Sequence, residues 1–243
     1  MTSAGIVGGL GPESTIDYYR RILALWARHD PGSAPSLVVD SLDVQRALRL
    51  VEHDRPALVE YLLASLRRLG GAGVDFVAMT ANTAHVVFDE LAARSPVPLL
   101  SIVETCADEA ERRGLGRLLL LGTRFTMEAA FYPEVFARRG LAVVVPDEGE
   151  RTWLHARYVG ELLAGDFRDA TRIGVISLVE RLRDAAGADG VVLGGTELPL
   201  LLPGETVAGL PTLDTTALHV AAIVARLRAG ETTPSGGHAP GVA

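Results

Sequence analysis

The sequence predicts an α/β protein of two similar domains, each a parallel sheet between two helix layers, related by pseudo-two-fold symmetry around a cleft. Three observations lead to this prediction. Short apolar runs alternate with amphipathic helical segments, the connections between them are short, and the second half repeats the pattern of the first. Parallel sheets of this kind bind ligands at the C-terminal ends of their strands, so the turns that follow the strands are expected to line the cleft.

In the first half, the glycine-rich segment 5–11 predicts a short buried strand that runs into a tight turn before a helix opening at Pro12. The stretch 75–90 predicts a buried strand, a polar turn at residues 80–83 and a helix from Ala84. The other predicted elements are a strand at 36–40, a mobile or helical segment at 44–52, a helix at 55–69, a strand at 97–102 and a helix at 104–113.

The pattern then restarts. It predicts a strand at 117–122, a Thr-rich turn at 123–126, a helix around Tyr132, a strand at 141–145, helices at 153–163 and 169–186, strands at 189–195 and 210–214, and a helix at 215–228. One offset of 114 positions relates Asp75 to Asp189 and Gly8 to Gly122 (189 − 75 and 122 − 8). We therefore predict a first domain of residues 1–99 plus 212–230 and a second of 100–211. A Gly-, Pro-, Ser- and Thr-rich tail at 231–243 is predicted to be disordered.

The composition argues against some classes of binding partner and some cellular compartments for this protein. The formal net charge of −7 over 243 residues argues against nucleic acid or an acidic membrane as a partner. No apolar run approaches the roughly 18–20 residues that a membrane span needs. The start of the sequence has no basic segment typical of a signal peptide, and Cys106 is the only cysteine, so a cytoplasmic protein without disulfides is expected.

The sequence contains no lysine, because all 23 of its Lys and Arg residues are arginine. A pyridoxal-phosphate Schiff base, a lysine-dependent aldolase and a Walker-type phosphate loop are therefore excluded. Four histidines, His53, His155, His219 and His238, have no spacing typical of metal ligands, so no metal site and no cofactor are predicted.

Four turns carry a resemblance to a known family. GGLGPEST from Gly8, ANTAHVVFDEL from Ala81, GTRFTMEAAFY from Gly122 and GGTELPLL from Gly194 resemble GGMGPxAT, CNTAH, T-x-x-T…Y and GCTELPLL. These motifs belong to the aspartate/glutamate racemase superfamily, which comprises cofactor-independent amino-acid racemases. The resemblance runs from about residue 4 to 228 and implies two domains with the substrate between them. It also implies dimerisation, so a homodimer is expected.

In that family two cysteines face each other across the cleft; one thiolate removes the α-proton and the other thiol reprotonates the opposite face. The resemblance places these cysteines at Ala81 and Gly195, neither of which has a side chain that can carry a proton. Cys106 lies in a predicted helix and is interpreted as a small core residue. Two titratable groups, His85 and Glu197, stand beside the vacated positions and are the candidate catalytic residues.

The expected ligand is a small carboxylic acid. Its carboxylate or enolate oxygens would be held by turn residues with hydroxyl, amide or backbone N–H groups, namely Gly9, Asn82, Thr83, Thr123, Thr126 and Thr196. Some aspartate racemases of the family hold a second carboxylate with an arginine and a lysine. Arg46 matches the arginine, whereas Leu163 stands at the lysine position, so the ligand is expected to be less acidic than aspartate, or a monocarboxylate.

These residues leave three hypotheses. The first is an enzyme with non-cysteine proton or enolate chemistry of isomerase, lyase or cyclase type. The second is an amino-acid racemase, such as an aspartate racemase, that uses His85 and Glu197 as its two bases. The third is a ligand-binding pseudoenzyme. Hydrogen exchange with deuterated solvent separates the second from the others, because only a racemase exchanges and inverts the α-carbon.

Overall fold

The computed structural model describes residues 2–229, and the predicted disordered tail lies outside them. The first half contains β1 (Ser3–Gly8), α1 (Pro12–His29), β2 (Ser36–Ser41), α2 (Val44–His53), α3 (Arg55–Gly71), β3 (Phe76–Met79), a 3₁₀ turn (Thr83–Val87), α4 (Phe88–Arg94), β4 (Leu99–Leu100) and α5 (Ile102–Arg112). The second contains β5 (Arg117–Leu121), α6 (Arg124–Glu128), α7 (Phe131–Ala137), β6 (Ala142–Val144), α8 (Glu148–Gly160), a 3₁₀ turn (Leu162–Ala164), α9 (Asp169–Ala186), β7 (Gly190–Leu193), α10 (Leu198–Leu201), β8 (Thr206–Val207), β9 (Leu210–Asp214) and α11 (Thr215–Ala229).

The two sheets share one topology. The first has the order β2-β1-β3-β4 with parallel neighbours, and the second has β6-β5-β7-β9, also parallel, followed by a short antiparallel β8. The repeat extends to hydrogen bonds, because Ser3 N donates to Asp75 at 2.7 Å and Arg117 N donates to Asp189 at 2.9 Å. The predicted α/β fold with two parallel sheets is confirmed, and β8 is the one strand that departs from the parallel arrangement in the described chain.

Successive residues of each strand face opposite helix layers, as the two-residue period of a strand requires. In the first sheet, Val77 packs in the core beneath α3, whereas Phe76 packs in the core beneath α1 and α11. In the second sheet, Val191 packs beneath α8 and α9, whereas Val192 packs beneath α5 and α7. Each sheet is therefore the middle of three layers.

The helices that follow the last parallel strands are exchanged between the halves. α5 follows β4 of the first sheet, yet its Ile102 and Cys106 are buried in a core of the second sheet. α11 follows β9 of the second sheet, yet its Ile223 and Leu227 are buried in a core of the first. The two helices also pack against each other. Each half therefore completes its core with a helix that the other half supplies.

The strand pairing corrects the predicted domain boundaries in two places. Residues 212–214 are predicted in the first domain, but β9 pairs with β7, with Thr212 opposite Val191 in the second sheet. Leu100 is predicted in the second domain, but it pairs with Ala78 in the first sheet. The physical reason is the repeat itself, because β9 is the second-half counterpart of β4 and continues its own sheet.

Local differences from the predicted elements follow from capping and turn geometry. The helix predicted from Ala84 is a 3₁₀ turn that leads into α4. α8 begins earlier than predicted because Asp147 and Glu150 form a capping box ahead of the apolar positions. The segment predicted as mobile or helical is α2, capped by Asp43.

Within residues 2–229, no helix combines the length and apolar character needed to cross a membrane.

Candidate active site

A pocket opens between the halves, where the turns after β1, β3, β5 and β7 meet. Its empty volume is about 550 Å³, including the open mouth. Ala81 and Gly195, the positions at which the resemblance places cysteines, both line this one pocket. Two turns that are far apart in the chain are thereby brought together, as the repeat and the sheet topology require.

Three threonine hydroxyls join the two halves at the pocket. Thr83 Oγ1 lies 2.9 Å from Thr123 Oγ1 and 3.2 Å from Thr126 Oγ1, and the last two are 3.2 Å apart. Thr123 and Thr83 line the pocket, whereas Thr126 is fully buried behind them. Thr123 also caps α6, since Thr126 N donates to its hydroxyl at 3.2 Å. The cluster can rotate its hydroxyl protons toward a ligand oxygen without moving the backbone.

Asn82 lines the pocket, but both ends of its amide already have partners. Its Nδ2 donates to Thr215 Oγ1 at 3.1 Å, and its Oδ1 accepts from Tyr132 OH at 2.6 Å. Asn82 therefore fixes the turn after β3. Gly9 is absent from the pocket lining, where Leu10 stands instead. Its φ of +75°, and the 2.2 Å that would separate an added Cβ from the Leu42 carbonyl oxygen, make it a turn-shaping residue.

Glu197 is the ionisable acid of the pocket, with a side chain almost fully buried. Its Oε2 accepts hydrogen bonds from the Tyr158 hydroxyl and from Thr196 Oγ1, the latter at 3.1 Å. Its Oε1 is buried and has no hydrogen-bond partner among the described residues. Burial raises the pKa of the Glu197 carboxyl, while the hydrogen bonds from Tyr158 and Thr196 oppose that rise. The Glu197 carboxyl therefore has a pKa above that of an exposed glutamate.

Tyr158 occupies the space that a side chain at position 195 would need. A Cβ added to Gly195 would lie 2.4 Å from Tyr158 Cε2 and 2.6 Å from its hydroxyl oxygen. Glu197 N also donates to that hydroxyl at 3.3 Å. Burial, followed by the charge of Glu197, raises the pKa of the Tyr158 phenol well above its ordinary value, so the phenol stays protonated and donates to the carboxylate.

His85 does not reach the pocket lining, contrary to the prediction that it is a proton carrier beside position 81. Its Nδ1 lies 3.0 Å from the Ala81 carbonyl oxygen, and Ile102 N donates to its Nε2 at 3.3 Å. The ring also stacks on Phe88, with centroids 4.9 Å apart. Burial lowers the pKa of His85 to about 4, so the imidazole is neutral and its nitrogens are committed to backbone groups.

Arg46 is also displaced from its predicted role in ligand binding. Its guanidinium lies over the Tyr61 ring, 4.5 Å from the centroid, and the residue is exposed and absent from the pocket lining. The helical register of α2 is the reason, because Val44, Ala47, Leu48 and Val51 form the face toward the pocket and Arg46 lies on another face. Arg124, at the start of α6 after β5, is absent from the pocket lining and pairs with Glu52 at 3.2 Å across the two halves.

Cys106 is fully buried in the core of the second sheet, in agreement with the interpretation of a small core residue. In the part of the chain that is described, no three His, Cys, Asp or Glu side chains form a group that could hold a metal ion. Tyr158 is a pocket residue that the sequence did not indicate. It lies in the middle of an ordinary amphipathic helix, and only its packing over Gly195 distinguishes it.

Comparisons with known proteins agree with this architecture. A family model described as Asp/Glu/Hydantoin racemase matches residues 7–223. A curated relative, the broad specificity amino-acid racemase RacX of Bacillus subtilis (strain 168), is 28% identical over 152 residues. That match covers 60% of this chain and 66% of RacX, just under two thirds of the relative's length.

Two solved structures extend the likeness over nearly the whole chain. An aspartate racemase homologue from Pyrococcus horikoshii OT3 is 31% identical, with a TM-score of 0.79 over 94% of this chain and 100% of that chain. The aspartate racemase of Picrophilus torridus, at 20% identity, has a TM-score of 0.74 over 94% of this chain and 95% of that chain. The second likeness concerns the fold alone.

Proposed function

Because the chain belongs to the Asp/Glu/hydantoin racemase family, we propose that it is an enzyme that binds a small carboxylic acid in the pocket between its halves. It transfers a proton at one face of the substrate's α-carbon, with Glu197 as the acid–base group. The observation that carries this proposal is the buried Glu197 carboxyl. One of its oxygens is held by Tyr158 and Thr196, and the other has no hydrogen-bond partner within residues 2–229. A free, desolvated carboxylate oxygen is a competent base.

The proposed step is a proton abstraction that leaves an enolate. The ionised Glu197 carboxylate takes the α-proton, the electron pair of the C–H bond moves into the substrate's carboxyl group, and Glu197 becomes a neutral acid. The new charge on the substrate oxygens is stabilised by the hydroxyls of Thr83 and Thr123 and by N–H groups of the turns. After its proton has exchanged with solvent, Glu197 returns a proton to the same face of the α-carbon, which restores the carboxylate and completes the cycle.

The proton transfer is one-sided because, among the described residues that line the pocket, the wall opposite Glu197 offers no titratable group. Ala81 presents only a methyl group at the position where the resemblance places the first cysteine. On the other wall, Tyr158 fills the space above Gly195 and supports Glu197. We therefore expect exchange of the α-hydrogen with retention of configuration. This is the proton chemistry of an isomerase or lyase rather than two-base racemisation.

The test is hydrogen exchange in D₂O, followed by NMR and by chiral analysis of L-amino acids and their des-amino analogues. We expect deuterium to enter the α-position while the configuration is retained. Glu197→Gln should lower the exchange rate by about 10²–10⁴-fold, the usual contribution of a general base. Tyr158→Phe should move the acid limb of the rate profile to higher pH. The hydrogen bond from Tyr158 lowers the pKa of Glu197, so its loss raises that pKa.

Glu109→Gln is the matched control, because Glu109 of α5 pairs with Arg112 and with Arg113, the residue after α5, and is absent from the pocket lining. Wild-type exchange in Glu197→Gln would exclude Glu197 as the base. Inversion as fast as exchange would require a second proton carrier on the Ala81 side. Saturable ligand binding without any exchange would favour the pseudoenzyme hypothesis instead.

A further inference from the structure

One wall of the pocket is apolar and comes from a regular helical stripe. On α2 the inward positions follow the i, i+3, i+4, i+7 spacing of one helix face: Val44, Ala47, Leu48 and Val51. Leu58 and Leu62 of α3 continue this wall. It comprises aliphatic side chains over two turns of α2 and one of α3, and such a wall suits an uncharged alkyl or aryl group.

The second half closes the same wall with another apolar residue. Leu163, in the 3₁₀ turn after α8, lines the pocket and is partly exposed. No arginine, lysine or histidine is among the described residues that line the pocket. Arg46, which the resemblance matches to the family's carboxylate-binding arginine, lies over the Tyr61 ring and is absent from the lining. A carboxylate placed against this wall would lose its hydration without gaining a cation, which is costly.

We infer that this wall, called here the α2–Leu163 subsite, binds an apolar substituent of the substrate. The preferred ligand is a carboxylic acid that carries one uncharged alkyl or aryl group, and a second carboxylate is rejected. The inference rests on the proposed function only in that the ligand's carboxylate is directed to the threonine turns. Desolvated aliphatic surface favours the apolar group, and the lack of a counter-charge disfavours the acidic one.

Equilibrium binding tests the subsite without requiring turnover. L-leucine and L-aspartate have the same number of non-hydrogen atoms, so calorimetric titration of the purified chain with each compares side-chain chemistry at equal size. A second pair, 4-methylpentanoate and succinate, removes any dependence on the amino group. In both pairs we expect the apolar acid to bind at least about tenfold more tightly, within the discrimination that an apolar pocket supplies.

Leu163→Lys places a cation in the subsite and should shift the leucine-to-aspartate preference toward aspartate by at least about tenfold. Phe167→Lys is the matched control, since Phe167 is 36% exposed, lies four residues further along the chain and is absent from the lining. It should leave the preference unchanged. Tighter binding of the diacid in both pairs, or no saturable binding of either apolar acid, would overturn the inference. Lack of deuterium exchange would overturn only the proposed function.

Discussion

His85 and Glu197 are indistinguishable as proton carriers in the sequence, since each follows closely after a position where the resemblance places a cysteine. The structure separates them by side-chain direction. The 3₁₀ turn after β3 folds the His85 ring back onto the Ala81 carbonyl, whereas the Glu197 carboxyl enters the pocket. Distance along the chain is visible in a sequence, but the direction of a side chain in an irregular turn depends on contacts with distant residues such as Ile102.

The buried His85 makes the fold sensitive to acid. The pKa of His85 is lowered from 6.5 to about 4 in the folded chain. As the pH falls below 6.5, His85 therefore becomes protonated in the unfolded chain, whereas it stays neutral in the folded chain until about pH 4. Stability therefore declines across this window, by roughly 3 kcal/mol from His85 alone. We expect His85→Gln to have a shallower loss of unfolding free energy between these pH values, as measured by urea denaturation.

The exposed His53, replaced by Gln, controls for loss of a histidine as such, because its side chain is 71% exposed. His53→Gln should follow the wild-type pH dependence. An equally steep acid loss in wild type and His85→Gln would mean that His85 is not the group whose protonation opposes folding. Deuterium exchange into the substrate at neutral pH should persist in His85→Gln, because both ring nitrogens of His85 are hydrogen-bonded to backbone groups.

At the scale of elements, the sequence predicted the long periodic helices and the buried strands best. The predicted helix at 169–186 has the bounds of α9, and the predicted strand at 210–214 has those of β9. These segments bury a continuous face, so their periodicity is strong. The inward face of α2 is harder to recognise from the sequence, because few residues of α2 are fully buried. Its apolar stripe faces the pocket as well as the core.

The N-terminus of α1 approaches the pocket acid so closely that only glycine fits there. Gly11 has an extended φ of −176°, which any residue can adopt, yet an added Cβ would lie 2.0 Å from Glu197 Oε1. Gly11→Ala should therefore displace the carboxyl without straining the backbone. We expect about a 100-fold loss of deuterium exchange, because displacements of about 1 Å cost that much in a positioned site.

Gly160→Ala is the control for this effect. Gly160 ends α8, the helix that carries Tyr158, and an added Cβ there would meet nothing within 4 Å. This variant should exchange at the wild-type rate and gain up to about 1 kcal/mol of stability from the higher helix propensity of alanine. If Gly11→Ala exchanges as fast as Gly160→Ala, the position of the Glu197 carboxyl does not govern the reaction.

At the scale of the whole molecule, the repeat predicted two sheets of one topology but not the reciprocal exchange of α5 and α11. The sequence of a helix indicates that one of its faces is buried, but it does not indicate against which sheet that face packs. Both helices follow equivalent strands, and each crosses to the other half. The turns that form the pocket are thereby fixed to one another, since Thr215 at the start of α11 accepts the hydrogen bond from Asn82.

The exchange of helices predicts that the two halves unfold as one unit. Ile223 of α11 is fully buried in the core of the first sheet, so Ile223→Ala should cost about 2–5 kcal/mol. The chain has two tryptophans, Trp26 in α1 of the first half and Trp153 in α8 of the second. Combined in turn with Trp153→Phe and Trp26→Phe, Ile223→Ala should lower the urea midpoint of both single-tryptophan reporters equally.

A matched substitution at Ile173, which is 61% exposed on α9, should change the unfolding free energy by no more than about 0.5 kcal/mol. Equal shifts at both reporters follow only if loss of packing on α11 is transmitted through α5 and β9 to the second sheet, since Ile223 itself packs in the first core. A shift confined to the Trp26 reporter would mean that the halves unfold separately. The pocket between them would then depend on local contacts such as the threonine cluster rather than on the shared helices.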